Sequence, residues 1–495
     1  MTALAILSSA PLASAEGVSR EEFQRLVDRI ASLEAQNRQL RATSANLNSM
    51  HSAVEKDSKL INQSLLGSNQ TYSFEVLDHA ENTNTKQRLQ LQNIAAGQLQ
   101  NRVTLGGQIT ALANMQHANE DSKFGWLMRH PTSSNQLGKS ASEAVIHSAN
   151  LNITAQLSEQ FTGYVELLYN PEKNFAADST ITGLPRNNVN VRRAYLLWGD
   201  LNHSPYYAAI GKMDIPFGLN DTVSPFTNST NWHSFAGLAY GALVSVSTDN
   251  WHLRAMAVQG GAQFRNANTP VEDSNVPSKL NNFAVDINYQ FDLDNSLEWL
   301  LGASYQYGSA YCQSYLDTPE SAHLETPAAT INIAAQGVKH FNACTDNNPA
   351  VSAYSRYQEG KLLLIAEYAK TLDPWPGTAN PYIAEFAVQE NTTFTAGGRY
   401  SAAVGLKQPL ELSLEFSRFE AGDSGSDWDK QDQLVFGASY FINPGLNLFA
   451  ELIKVDGWVP LNFLSGGNPG SEVGSSWSSQ TSETKILTVG VQAGF

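Results

Sequence analysis

Apolar and polar residues alternate one by one along most of this chain after Val103. The carboxyl-terminal segment shows the pattern most clearly, with apolar positions at Leu487, Val489, Val491, Ala493 and Phe495. Small or polar residues occupy the positions between them. Successive side chains of a β-strand point to opposite faces of its sheet. The pattern therefore predicts a strand between lipid and water, although an edge strand of a soluble sandwich would alternate in the same way.

The same period of two recurs along the chain and is clearest in residues 149–157, 283–291, 297–305 and 410–416. Connections of a few residues alternate with long ones, such as residues 114–143, 214–240, 308–350 and 457–482. Short turns at one end and long loops at the other are typical of outer-membrane barrels, and the segments number about sixteen, which is even as such barrels require.

Closure of the predicted sheet follows from the chemistry of lipid. Hydrocarbon offers no hydrogen-bond partners, so every backbone N–H and C=O must be paired inside the sheet, and an open edge would leave such groups unsatisfied. The predicted fold is therefore all-β: an antiparallel transmembrane β-barrel of about 16 strands over residues 103–495. A barrel of this width is not filled by its own wall side chains, so its lumen holds water, a loop or a ligand.

The amino-terminal region has a different period. Apolar or small residues recur in steps of three and four at Phe23, Leu26, Ile30, Leu33, Asn37, Leu40, Ser44 and Leu47. This spacing predicts an α-helical coiled coil over residues 16–66, which we expect to be periplasmic and oligomeric, and Asn37 would fix its register. A single amphipathic helix folded against the rest of the chain is the alternative. Residues 67–102 are rich in Gln, Asn and Thr and are predicted to form a linker or helix.

Residues 1–15 are predicted to be a secretory signal peptide. They contain a short apolar stretch and the cleavage motif Ala13-Ser14-Ala15, but they lack the usual basic start, which leaves open an upstream beginning. Export to an oxidising compartment would allow Cys312 and Cys344 to form a disulfide within one loop. Two free thiols are the alternative.

Composition and motifs exclude several classes of function. The formal net charge is -16, which argues against nucleic acid as a partner. The sequence Gly422-Asp423-Ser424-Gly425 is similar to a serine-protease nucleophile segment, but no matching His environment accompanies it. The Asp residues between 423 and 432 do not have EF-hand spacing. We therefore expect no enzymatic activity, no cofactor and no metal site.

The predicted lumen face supplies the candidate functional residues. Arg254, Glu298 and Glu411 lie at polar positions of predicted strands, where charges tune which solutes pass, although any one of them could simply be wetting the wall. Arg192, Arg193 and Lys212 stand close to a Pro216-Phe217-Gly218 kink before a long connection. They are predicted to form a basic constriction for an anionic solute, and a strand end with a proline turn is the alternative.

Two families resemble this chain. Arg192-Arg193-Ala194, Gly211-Lys212 and Pro216-Phe217-Gly218 resemble anion-selective porins, phosphate porins included. More of the chain resembles the LbtU-family siderophore porins. The matching features are the exported coil, the Arg-Arg strand, and the stretches Gly106–Thr110, Phe394–Tyr400 and Pro409–Phe419. The terminal Phe495 also resembles the assembly signal of outer-membrane barrels.

The LbtU resemblance implies uptake of a ferric siderophore of the polycarboxylate type, without a plug domain. Energy-coupled receptors use larger, plugged barrels of about 22 strands. A general or anion-selective porin is the first alternative, and an envelope-tethering or adhesin barrel is the second. The expected partners are the siderophore or another anion, outer-membrane lipid and lipopolysaccharide, and further copies of the chain joined through the coil. The expected location is the bacterial outer membrane, with both termini in the periplasm.

Overall fold

The computed structural model describes residues 64–123, 137–169, 189–259, 280–294, 297–309, 311, 347–374, 389–420, 430–457 and 481–495. The predicted signal peptide, all but the last three residues of the predicted coiled coil, and the predicted disulfide between Cys312 and Cys344 lie outside these residues. The described residues belong to one compact unit, Ser64–Phe495.

The described residues of this unit form seventeen strands and three short helices. The strands are β1 (Leu66–Ser68), β2 (Val103–Lys123), β3 (Leu137–Gln156), β4 (Phe161–Tyr169), β5 (Val189–Gly199), β6 (Tyr206–Asp214), β7 (Leu238–Ser247), β8 (Trp251–Gln259), β9 (Leu280–Asp294), β10 (Leu297–Gln306), β11 (Ala350–Glu359), β12 (Leu362–Thr371), β13 (Thr392–Ala402), β14 (Leu410–Glu420), β15 (Lys430–Asn443), β16 (Leu446–Gly457) and β17 (Glu483–Gly494). The helices are α1 (Gln70–Leu77), α2 (Lys86–Ala95) and α3 (Thr230–Phe235).

Strands β2 to β17 form a closed antiparallel barrel of 16 strands. Each strand pairs with the next one along the chain, and β17 pairs with β2 from Gly494 opposite Gln108 to Thr484 opposite Ala118. The predicted fold class and strand number are confirmed. Strand β1 pairs in parallel with Val103 to Leu105 at the start of β2. These residues precede the part of β2 that pairs with β17. We call the end of the barrel that carries the short connections the short-turn end.

The two faces of the wall have opposite polarity, and the polar face is the buried one. On β17, Leu487 and Val489 point outward and are 38% and 47% exposed, whereas Thr488 is fully buried. On β16, Leu448 and Leu452 are exposed while Glu451 is buried. A soluble protein buries its apolar face; this barrel exposes it, as contact with acyl chains requires. Among the described residues, no helix is long and apolar enough to cross a membrane.

Helices α1 and α2 are joined by local capping contacts. The side chain of Asn69 accepts a hydrogen bond from the backbone N–H of Tyr72 and so caps the start of α1. Lys86, at the start of α2, donates through Nζ to the carbonyl oxygens of Glu75, Asp78 and Glu81 at 3.0, 2.6 and 3.1 Å. These carbonyls lie at or just beyond the end of α1, so one buried ammonium group holds the two helices together.

Candidate functional site

Two segments enter the lumen and define the candidate site. The first, here called the inward loop, is residues 215–237 between β6 and β7, and it contains α3. The second, here called the N-terminal segment, is residues 69–99 and contains α1 and α2. Both are largely buried, and both form hydrogen bonds with inward-facing residues of the wall.

Three glutamates of the wall anchor the inward loop. Glu367 of β12 accepts the backbone N–H groups of Leu219 and Asn220 at 2.9 and 2.8 Å. Glu415 of β14 and Glu451 of β16 repeat this arrangement further along the loop. Their partners are Thr222 and Val223 for Glu415, and Phe226 and Thr227 for Glu451, at 2.6 to 3.0 Å. A chain segment inside a barrel has no strand partner for its N–H groups, so these carboxylates supply the acceptors that the loop needs.

The predicted Pro-Phe-Gly kink begins this loop. Gly218 has φ +70°, in the left-handed region, and a Cβ at this position would collide with the carboxylate of Glu367. Glycine is therefore the residue that permits both the turn and the close approach. Asn220 also has positive φ, 55°, and its side chain donates to the carbonyl of Phe217 at 2.7 Å. The kink directs the chain from the wall into the lumen.

The N-terminal segment occupies the lumen at the short-turn end. Tyr72 O–H lies 2.7 Å from Thr154 Oγ1 of β3, and Tyr195 of β5 donates to Gln90 at 3.0 Å. Buried apolar side chains of both helices, including Leu91, pack against the inner wall of β4 to β6. This finding corrects the expectation of a barrel without a plug: part of the predicted linker is folded inside it. The physical reason is that the helices bury apolar side chains that water would otherwise hydrate.

Ion pairs fix the same segment to the opposite wall. Glu81 forms ion pairs with Arg356 of β11, at 3.7 Å, and with Arg399 of β13. Burial alone would raise the pKa of Glu81, but the two guanidinium groups outweigh it and lower that pKa. Burial lowers the pKa of Lys86 to about 8, although Asp78 opposes the shift.

The two segments meet inside the lumen. Asp221 of the inward loop accepts the backbone N–H of Thr83 at 3.0 Å and that of Asn82 at 3.3 Å. Asn84 donates through Nδ2 to the carbonyls of Phe217 and Gly218 at 2.8 and 2.9 Å. Burial raises the pKa of Asp221 to about 6, despite the N–H of Thr83, which lowers it. The site is therefore one hydrogen-bonded body built from two distant parts of the chain.

A β-bulge places both members of the arginine pair inside the barrel. Glu166 of β4 pairs with Arg193, and the next residue, Leu167, pairs with Val191, so Arg192 is the extra residue. Strict alternation would have pointed one arginine outward. Instead Val191 faces outward and Arg192 lies 3.5 Å from Glu166.

Arg193 is fully engaged by acids. Its guanidinium group binds Asp214 of β6 through two hydrogen bonds of 2.6 Å and Glu166 through a third of 2.7 Å. Lys212, also on β6, donates to the carbonyl of Val191 at 3.1 Å, and no ion pair of Lys212 occurs in the part of the chain that the structure describes. The structure therefore brings Arg192, Arg193 and Lys212 together, in a group that also contains two carboxylates.

The other predicted residues are placed apart. Arg254 of β8 forms a buried ion pair with Asp286 of β9 at 2.8 Å and donates to the carbonyl of Asn84. Glu411 accepts from Ser401 at 2.6 Å and lies 3.6 Å from Arg399, near the short-turn end. Glu298 is exposed at the start of β10, beside a turn, so it does not join the site.

The site prediction left out the residues of the two segments themselves that join them inside the lumen: Glu81, Asn84 and Asp221. The sequence of the wall contains one signal for where the N-terminal segment packs. The inward positions of β4 to β6 include Tyr164, Tyr195, Leu197 and Tyr207, where a water-filled lumen would carry small or polar residues. An apolar inner wall indicates that something apolar is packed against it.

No family model matches the chain, and no curated protein matches it. Among solved structures, the outer membrane channel DcaP of Acinetobacter baumannii is 12% identical, over 79% of this chain and 97% of that one, with a TM-score of 0.47. The anion-selective porin from Comamonas acidovorans is 12% identical over 79% and 99%, with a TM-score of 0.46. Pseudomonas putida OprB is 9% identical over 79% and 94%, with a TM-score of 0.48.

Proposed function

We propose that this chain is an outer-membrane porin that passes small hydrophilic solutes and prefers anions. The observation that carries the proposal is the inverted polarity of a closed 16-stranded barrel, apolar outside and polar inside. A wall of this kind is stable only between lipid and an aqueous interior. A 16-stranded barrel is also wide enough for such an interior.

The anion preference rests on the local charge of the group around the bulge. Glu367, Glu415 and Glu451 are occupied by N–H groups of the inward loop, so they are covered by that loop. In the group around the bulge, three cations, Arg192, Arg193 and Lys212, face two carboxylates, Glu166 and Asp214, so the net charge is three minus two, or +1. Fixed positive charge beside a water-filled path raises the local concentration of anions.

The test is a bilayer recording in a KCl gradient. We expect the wild-type reversal potential to indicate anion preference, and Arg192→Gln with Lys212→Gln to move it towards zero. Lys454→Gln is the matched control: it removes a charge of the same sign from an outward-facing position where Lys454 pairs with Asp456 and Glu483. A preference unchanged by the double substitution would remove the role proposed for these residues. An inserted barrel without ion current would contradict the porin and favour the tethering function.

Siderophore uptake is a finer proposal for the same barrel, and it rests on the resemblance described above. A ferric polycarboxylate would be anionic and would suit the same net positive group. If the barrel binds such a complex, adding it to one side of the bilayer should reduce the KCl current saturably. A current that stays constant up to millimolar complex would leave the general porin as the function.

A further inference from the structure

The two segments that fill the lumen are bonded to each other as well as to the wall. Besides the contacts of Asp221 and Asn84, the backbone N–H of Thr222 donates to the carbonyl of Ala80 at 2.9 Å. The ring of His79 lies with Nε2 2.9 Å from the carbonyl of Phe226, and the two rings meet edge to face at 6.0 Å. Residues 79–84 thus contact the inward loop over most of its first half.

The two segments differ in how they are attached to the barrel. The inward loop is continuous with β6 and β7, so neither of its ends can leave the barrel. The N-terminal segment is continuous with β2 at only one end, and its other end is held by the three-residue strand β1. The hydrogen-bond ladder from β2 round to β17 is complete without it. It is therefore the segment that can withdraw without breaking the wall.

We propose that the N-terminal segment is a removable stopper that also holds the inward loop in position. Withdrawal through the short-turn end opens that end of the lumen and simultaneously frees the loop from residues 79–84. The conducting state rests on the porin function proposed above, whereas the mechanical coupling of the two segments does not. A solute or envelope partner that displaces the stopper would thereby widen the path at the short-turn end and beside the inward loop.

Two variants test this coupling in the full-length protein. Asn84→Ala with Asp221→Ala removes the hydrogen bonds that these two side chains make between the segments, and it leaves the contact of His79 with Phe226 and all three glutamate anchors in place. Asn93→Ala is the matched control, because the Asn93 side chain donates to the carbonyl of Leu89 within its own helix. A locking variant, Ala80→Cys with Thr222→Cys, joins the segments when oxidised, and each single cysteine variant receives the same oxidant as its control.

The first measurement is hydrogen–deuterium exchange of the protein in detergent. The loss of one hydrogen bond of ordinary strength changes an equilibrium constant several-fold. We therefore expect hydrogen exchange of residues 70–95 and of residues 217–227 to rise together by about tenfold in the releasing variant. The control should exchange like the wild type. If the inward loop exchanges at the wild-type rate while the N-terminal segment loosens, the coupling is wrong.

The second measurement is single-channel conductance. We expect the releasing variant to open more often than the wild type by about tenfold, and the oxidised lock to remain at the smallest conductance level until it is reduced. Equal opening of released, locked and wild-type barrels would overturn the stopper. If exchange rises in both segments but no variant conducts, the coupling holds and the porin function fails, so the two failures are distinguishable.

Discussion

The guanidinium group of Arg193 donates two hydrogen bonds of 2.6 Å to the carboxylate of Asp214. A third bond, of 2.7 Å, reaches Glu166, and all three side chains are buried. This paired geometry satisfies Arg193 within the wall and joins β4, β5 and β6 on the inner face. Arg193 therefore stabilises the wall, and in the proposed function its neighbours Arg192 and Lys212 carry the charge that acts on a solute.

Arg193→Gln should destabilise the barrel, because it leaves two buried carboxylates without their cation. Breaking a buried pair in this way costs about 3–5 kcal/mol. The measurement is the temperature or urea concentration at which the barrel loses its compact form on a denaturing gel. Arg192→Gln is the comparison: its single contact of 3.5 Å is weak, so it should alter ion selectivity with little change in stability. Equal stability of the two variants would contradict this division of roles.

Glu451→Gln should loosen the inward loop while leaving the barrel intact. The carboxylate accepts from Phe226 and Thr227 through both oxygens, and an amide replaces one of these acceptors with a donor. The loss of charged hydrogen bonds is worth about 1.5–3 kcal/mol. We expect noisier single-channel currents and faster exchange of residues 222–230. Glu298→Gln makes the same chemical change at an exposed position and should leave both unchanged; noise that appears equally in both variants would contradict the anchoring role.

The seam between β17 and β2 should depend on the N-terminal segment. Gln70 donates to the carbonyl of Gly494, at the end of β17, at 2.8 Å. Gln70→Ala should lower the stability of the barrel by about 1 kcal/mol. The measurement is the temperature at which the barrel loses its compact form on a denaturing gel, which should fall. Gln92→Ala, at an exposed position of α2, is the control. If both alanine variants behave alike, the contact with Gly494 does not stabilise the seam.

The junction inside the lumen should weaken as pH rises from about 4 to 6. Burial raises the pKa of Asp221 from 3.8 to about 6, so within this window the folded junction holds a proton that the released chain does not. The stability of the junction is thus highest below pH 4 and falls as Asp221 ionises, by up to about 3 kcal/mol.

Asp221→Asn should flatten this dependence, because the amide does not ionise. The measurement is exchange of residues 79–84 at several pH values, after correction for the chemical rate of exchange. A wild-type junction that exchanges equally at pH 4 and pH 7 would show that Asp221 does not titrate across this window.

The alternation of residues determined the wall of this barrel before any tertiary contact was known. A strand exposes one face to lipid and the other to the lumen, so each segment carries its own orientation in a period of two. The requirement that lipid places on backbone groups then forces the segments into a closed sheet. For this reason the strand number and the polar face were predictable from local sequence.

Only the tertiary structure decided what fills the barrel. The contacts of the stopper join residues far apart in the chain, such as Thr83 with Asp221, 138 positions away, and Gln70 with Gly494, 424 positions away. No local period encodes such pairs. The bulge at Arg192 likewise depends on register against β4, and the partners of Arg193 come from two neighbouring strands. The local pattern determines which face of the wall a side chain occupies. The net charge in the lumen depends instead on which acidic side chains the closed barrel places beside each basic side chain.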